Sequence, residues 1–177
     1  EQIVEVCQEL DAQTYIRRTG DAYEYLTDDE KDVEEEIKRE AVSDPEVSKE
    51  IGKMLQEVIG QTKVRYTNGD FSTTFSYDLL IDGQAIGAQR SELKVNVLTD
   101  LMPEADEGFK FAPVKQLHVA LPRNTRLTQE ARLWKQTVSY VGLNHQNEGR
   151  KQAIIDEKRV TNEQRRRELI AMLADQL

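Results

Sequence analysis

With one cysteine and two histidines in 177 residues, chemistry in this chain has to come from carboxylates and guanidinium groups. Arg17 and Arg18 are adjacent, and Arg165, Arg166 and Arg167 are consecutive, with Arg150, Lys151, Lys158 and Arg159 just upstream. Gathered on one surface, these cations would contact phosphate, as a nucleic-acid-binding module requires. On a helix three successive residues cannot share a face, so at least one arginine of the triplet points away from any common ligand, and ion pairing on the helix surface is the alternative use. Carboxylates crowd the segment from Asp28 to Glu36. Acid–base catalysis needs two groups whose environments separate their pKa values, and a solvated acidic helix does the reverse. The segment therefore reads as an exposed acidic face, with Asp28, Asp29, Glu30 and Glu34 as the candidates for docking a partner.

The remaining reactive types give no constellation. His118 and His145 have no carboxylate or cysteine placed beside them by local spacing, and a metal needs several convergent ligands. His118 reads as a sheet histidine and His145 as a solvated loop residue. Cys7 lies on an apolar helical stripe and reads as a small core residue. GxSxG and HExxH are absent, and so is GxxxxGK[ST]: Gly52-Lys53 is followed by Met54 and falls mid-helix. Lys94 to Asp100 is an apolar run ending in an aspartate, which reads as a strand followed by a turn residue. No catalytic, cofactor-binding or metal-binding residue is expected in the chain.

The elements that must position these residues follow from periodicity. Ile3, Val6, Cys7 and Leu10 form a helical stripe. Thr14–Arg18 and Ala22–Leu26 flank Thr19-Gly20-Asp21 as a β-hairpin. Thr27-Asp-Asp-Glu30 and Ser43-Asp-Pro-Glu46 have capping-box spacing and open two helices, one acidic with Val33, Ile37 and Ala41 as its seam, one carrying Val47, Ile51 and Val58 to a stop at Gly60. From Lys63 the period becomes two, with a hairpin signal at Asn68-Gly69, then Phe71, Thr73, Phe75 and Tyr77, and a second turn at Asp82-Gly83. Leu93–Leu98 and Gln116–Leu121 are further strands, joined by an acidic loop with Pro103 and Gly108. A helix with Leu127, Ala131, Trp134, Val138 and Val141 on one face comes next. After a loop from Gly142 to Gly149 come two more helices, the second capped by Thr161-Asn-Glu-Gln164. The class is α+β: an N-terminal helix and hairpin, two helices, a central, mostly antiparallel sheet, and C-terminal helices. A domain division at residues 1–41 and 42–177 fits this order.

With 38% apolar and 32% charged residues the chain should fold and be soluble, and no apolar run approaches a membrane span. Its first residues, neither a start methionine nor a basic targeting segment, read as a piece of a longer cytoplasmic protein. The net charge of −9 conceals an asymmetry. Residues 1–109 carry 11 basic against 26 acidic side chains, or −15, and residues 110–177 carry 13 against 7, or +6. A basic half of this kind attracts phosphate or docks on an acidic surface, including the other half of its own chain.

The stretch from Tyr23 to Lys38, Tyr-Glu-Tyr-Leu-Thr-Asp-Asp-Glu running into an acidic helix, resembles the middle of the P-loop ATPase of bacteriophage-exclusion (BREX) systems, the BrxC/PglY family. Ser48–Gly52, Lys63-Val-Arg-Tyr66, Leu117–Pro122 and Ser139-Tyr-Val141 occur there in similar order. The resemblance implies a cytoplasmic antiphage-defence protein that works with other BREX subunits, including a DNA methyltransferase. It also implies ATP and magnesium for the parent protein, although the nucleotide motif has no counterpart here. By the same resemblance residues 1–41 end a winged-helix unit with residues 14–26 as its wing, which makes Arg17 and Arg18 backbone-contact candidates if DNA is met. The expected function is a non-catalytic structural and interaction segment coupling the ATPase core to partner subunits, with self-association as a further mode. A DNA-contacting module built from the wing and the basic C-terminal helices is the alternative.

Overall fold

The computed structural model describes residues 2–19, 22–102, 115–144 and 149–177, without the side chains of residues 2, 4, 5, 8, 12, 18 and 19. Contacts group the chain into two compact units, Glu1–Ala41 with Gln136–Gln164, and Val42–Lys135 with Arg165–Leu177. Residues 136–164 thus group with the N-terminal segment, a long-range association that no linear division of the sequence expresses.

In the first unit helix α1 (Gln2–Ala12) leads into a hairpin of β1 (Ile16–Thr19) and β2 (Ala22–Tyr25), paired from Ile16↔Tyr25 to Thr19↔Ala22. Helix α2 (Asp28–Arg39) starts where the capping box places it. The Glu30 amide reaches Thr27 Oγ1 at 3.4 Å, and the Glu30 carboxylate accepts the Thr27 amide at 2.8 Å. The Thr27 hydroxyl, which donates to the same carboxylate at 2.7 Å, and then the Thr27 amide hold the Glu30 carboxyl below the usual carboxylate range. Val33 and Ile37, one turn apart, are buried, as are Ile16, Leu26, Tyr140 and Ile155 of the same unit. The stripe on α1 is not a core stripe: Ile3 and Val6 are exposed, while Cys7 and Leu10 are half-buried. Spacing fixes which residues share a helix face, not whether a neighbour covers it.

The second unit is built on helix α3 (Asp44–Ile59), opened by the Glu46 carboxylate accepting the Ser43 amide at 2.9 Å and closed at Gly60 with φ 69°. Strands β3 (Lys63–Asn68), β4 (Phe71–Ile81), β5 (Gln84–Ile86), β6 (Leu93–Leu98) and β7 (Gln116–Ala120) form one sheet in the order β3-β4-β6-β7, with β5 paired to β4. The expectation of a mostly antiparallel sheet is corrected here. β3–β4 and β4–β5 are antiparallel, but β4–β6 and β6–β7 are parallel, so the sheet is mixed. The sequence hides this because short β5, unrecognised as a strand, carries the chain back before β6 begins. Asp78 fixes that return: its carboxylate accepts the Arg90 and Ser91 amides at 2.9 Å each, and the backbone bond from Arg90 leads in holding its pKa low. The first hairpin turn is Gly69-Asp70, one residue beyond the expected pair, because Asn68 still pairs with Phe71 and the positive φ falls on Gly69.

Val47, Ile51, Met54 and Leu55 of α3 pack on Leu79, Ile81, Ile86 and Val97 of the sheet. Leu127 and Ala131 of helix α4 (Thr125–Leu143) and Leu169 and Leu173 of helix α5 (Arg150–Ala174) complete this core. Helix α5 is continuous, where two helices were expected. Neither proline nor glycine interrupts residues 150–174, so the capping pattern at Thr161–Gln164 has no chain break to act on. Residues 145–148, with His145, and residues 103–114, with Pro103 and Gly108, lie outside the described residues. No helix among the described residues is long and apolar enough to cross a membrane.

Candidate functional site

Three of the arginines considered for phosphate are held by carboxylates within their own unit. Arg17 donates to Glu24 at 3.0 Å and to Glu157. Burial disfavours its charge, but the bonds to Glu157 and Glu24 more than offset this and raise its pKa. Arg165 meets Glu130 at 2.9 Å, and Arg166 meets Glu57. Arg167 is exposed, and the Arg18 side chain lies outside the described residues. The triplet therefore diverges, as helical geometry requires.

The acidic candidates diverge as well. Asp28 and Asp29 are exposed on the first turn of α2, and Asp28 accepts from Lys31 at 3.2 Å. Glu30 is engaged in the capping box. Glu34 pairs with Lys158, whose side chain is only 5% exposed; burial pushes the Lys158 ammonium down despite the attraction of Glu34. Glu36, which the sequence did not single out, is the node of the helix contact: it accepts from Lys151 at 2.8 Å and from the Tyr140 hydroxyl at 2.5 Å. Those two bonds, Lys151 first, hold its carboxyl below the usual range, while burial and then Glu36 raise the Tyr140 phenol.

His118 lies in β7 opposite Asn96, and no group of three metal-binding side chains occurs among the described residues. Asp100 is exposed after β6. The carboxylate used at that corner is Asp82, which accepts from Ser48 Oγ at 2.5 Å, from Thr99 Oγ1 at 2.7 Å and from the Thr99 amide at 2.7 Å. Gly52-Lys53 lies inside α3, and Gly52 faces the sheet: a Cβ there would stand 2.6 Å from both Ile81 Cγ2 and Ile86 Cδ1. Its role is close helix–sheet approach, and its amide is committed to the helix, so this pair cannot cradle phosphate.

What sequence reasoning missed is an uncovered surface. Residues opposite in a strand pair share a face, so the registers put Val64, Tyr66, Phe71, Phe75, Tyr77, Leu93, Val95, Leu117 and Val119 on the same sheet face as core residues Leu79, Ile81 and Val97. Towards Ile81 that face is buried, and towards the β3–β4 hairpin it is open: Phe71 is 61% and Leu117 60% exposed. At the base of the hairpin an apolar groove of about 430 Å³ is bordered by Val64, Phe75, Tyr77, Leu93 and Leu117. The alternation that marked these strands was legible; that half of one face is left exposed among the described residues was not.

Residues 40–177 match the family model described as BREX ATP-binding protein BrxC 4th domain with six-stranded beta sheet. The chain belongs to the BrxC family. Residues 40–177 are that family's fourth domain rather than the ATPase core; the match gives the family that Tyr23–Lys38 pointed to, although it begins after that stretch. The described residues supply five strands to the sheet, against the six of the family description. ATP binding is a property of the BrxC family by its description, and the helical Gly52-Lys53 pair does not fit that role in this domain. No solved structure matches the chain.

Proposed function

We propose that this BrxC domain is a non-catalytic docking element that couples the nucleotide-driven part of its parent protein to partners in BREX antiphage defence. The observation that carries the reading is the open half of the sheet face, with Tyr66, Phe71 and Phe75 at least 46% exposed on a two-stranded hairpin. A hairpin with neither face buried is marginal in water. Large exposed apolar patches on soluble proteins mark interaction sites. The pairing of Arg17, Arg165 and Arg166 with carboxylates gives less support to DNA contact.

The test is co-purification of full-length BrxC with the other subunits of its BREX system, for wild type and for Phe71→Ser with Phe75→Ser. Loss of a subunit from the double variant is expected. Retention of every contact, self-association included, would refute the reading. A labelled DNA duplex titrated at about 50 and 200 mM salt examines the other use of the cations, since binding through phosphates collapses across that range.

A further inference from the structure

We infer that the open sheet face is a self-association surface, taken by the same face of a second copy of this chain. The inference rests on the docking reading above and names its occupant. Two observations select a copy over other partners. The first is charge. The chain carries a net charge of −9, so two copies repel wherever their acidic surfaces meet. On the hairpin itself the face carrying Val64, Tyr66, Phe71 and Phe75 holds no ionisable group apart from tyrosine, because Lys63 and Arg65 alternate to the opposite side. The cations that border it, Lys94 and Lys115, stand at the base of the groove, and Lys115 engages Glu92 at 2.5 Å. An acidic molecule can approach its own copy through that hairpin face without bringing its acidic surfaces together.

The second is area. Aromatic side chains each carry roughly 150–250 Å². With about half of Tyr66, Phe71 and Phe75 open beside Val64, Leu93, Leu117 and Val119, the exposed apolar face is on the order of 600 Å². Two such faces stacked at the usual sheet spacing remove about 1,200 Å², the lower bound of a specific interface. A twofold axis makes the contact isologous, aromatic side chains of one hairpin meeting those of the other, and closes it at two copies. Nucleic acid fits the same face less well: its aromatic side chains offer stacking, but no cation shares their side of the hairpin to meet the phosphates.

The test is sedimentation equilibrium of the 177-residue chain from about 1 to 200 μM, at about 150 and 500 mM salt. A monomer–dimer equilibrium is expected, with a dissociation constant in the micromolar range that changes less than about twofold with salt, as apolar burial requires. Phe71→Ser with Phe75→Ser should weaken it at least tenfold, and Leu117→Ser, on a different strand, should weaken it independently of any change in the hairpin. Val160→Ser, an exposed apolar position of the first unit, should leave it unchanged. Unchanged Trp134 fluorescence verifies that the sheet variants are folded, and an unchanged circular dichroism melt does so for Val160→Ser. A monomer at every concentration overturns the inference, as does a dimer indifferent to the hairpin substitutions. A monomer whose hairpin variants still lose a BREX subunit from full-length BrxC assigns the face to that subunit, so the docking reading survives while the second copy does not. Oligo(dT) binding that is lost in the hairpin variants also overturns it, in favour of nucleic acid.

Discussion

Gly52→Ala is the perturbation on which helix propensity and packing disagree in sign. Alanine gains about 1 kcal/mol over glycine in a helix interior. Against that, the added Cβ would stand 2.6 Å from Ile81 Cγ2, 2.6 Å from Ile86 Cδ1 and 2.8 Å from Ile86 Cγ1. The Ile86 terminus can rotate. Ile81 Cγ2 can leave only by a χ1 rotation that swings Cγ1 and Cδ1 with it, and Ile81 is fully buried against the α3 core. Overpacking of this kind costs about 1–3 kcal/mol. Where the helix must also lift from the strand the upper half of the range applies, so the net expectation is a loss of about 1–2 kcal/mol. Trp134, the single tryptophan, packs on the same core, so its fluorescence in a urea titration reads this unit directly. Ile86→Val removes Cδ1 and alone costs about 0.5–1.5 kcal/mol. In the Gly52→Ala background it should cost less than that, because it relieves one of the contacts, and the coupling is the signature of the clash. A Gly52→Ala chain more stable than wild type by the propensity gain would refute the close approach.

Other outcomes follow from the charged contacts. Glu34→Ala leaves Lys158 buried without its partner and should cost about 3–5 kcal/mol in a denaturation monitored by circular dichroism, whereas replacing both, Glu34→Leu with Lys158→Met, should stay within about 1 kcal/mol of wild type. Glu36 has a depressed folded-state pKa, so its contribution is present above the ordinary carboxylate value of 4.5 and is lost as pH falls through the folded value; Glu36→Gln should flatten the acid limb of thermal melts below that pH and leave the neutral range comparatively little changed in slope. Asp82→Ala strands Ser48 and Thr99 and should lower stability by about 2–3 kcal/mol, while Asp100→Ala, at an exposed position, should change it by less than about 0.5 kcal/mol.

Most elements were legible because their signals are local. The capping box at Thr27–Glu30, the proline-led start of α3 at Ser43–Glu46, the stop at Gly60 and the alternation through Phe71–Tyr77 each act over a few residues, and each sits where those residues place it. The misses are non-local. The parallel β4–β6 pairing depends on three-residue β5 and on Asp78 catching the Arg90 and Ser91 amides, a contact no periodicity encodes. The unbroken α5 depends on no turn being present upstream of Thr161. Gly52, met in the sequence only as a failed nucleotide motif, matters for what stands opposite it in the sheet. The open sheet face was hidden for the same reason, since alternation looks identical whether a face meets a core or solvent.

The charge asymmetry between the two halves of the chain finds its use inside each unit. In the first, Lys151 and Lys158 from the basic half meet Glu36 and Glu34 on the acidic helix. In the second, Arg132, Lys135 and Arg166 meet Asp44, Glu50 and Glu57 on or beside α3. Apart from the buried Lys158–Glu34 pair, the partly exposed pairs contribute about 0–1 kcal/mol each, too little to hold a unit together. What they do is bias which segments distant in sequence settle against each other, while the apolar cores supply the stability. The same pairing withdraws several basic side chains from external anions and leaves a chain whose most distinctive exposed surface is apolar. Association through such a surface is insensitive to ionic strength, whereas association through the arginines would fall steeply with salt. The salt dependence of whatever this domain binds therefore separates the two modes before any residue is changed.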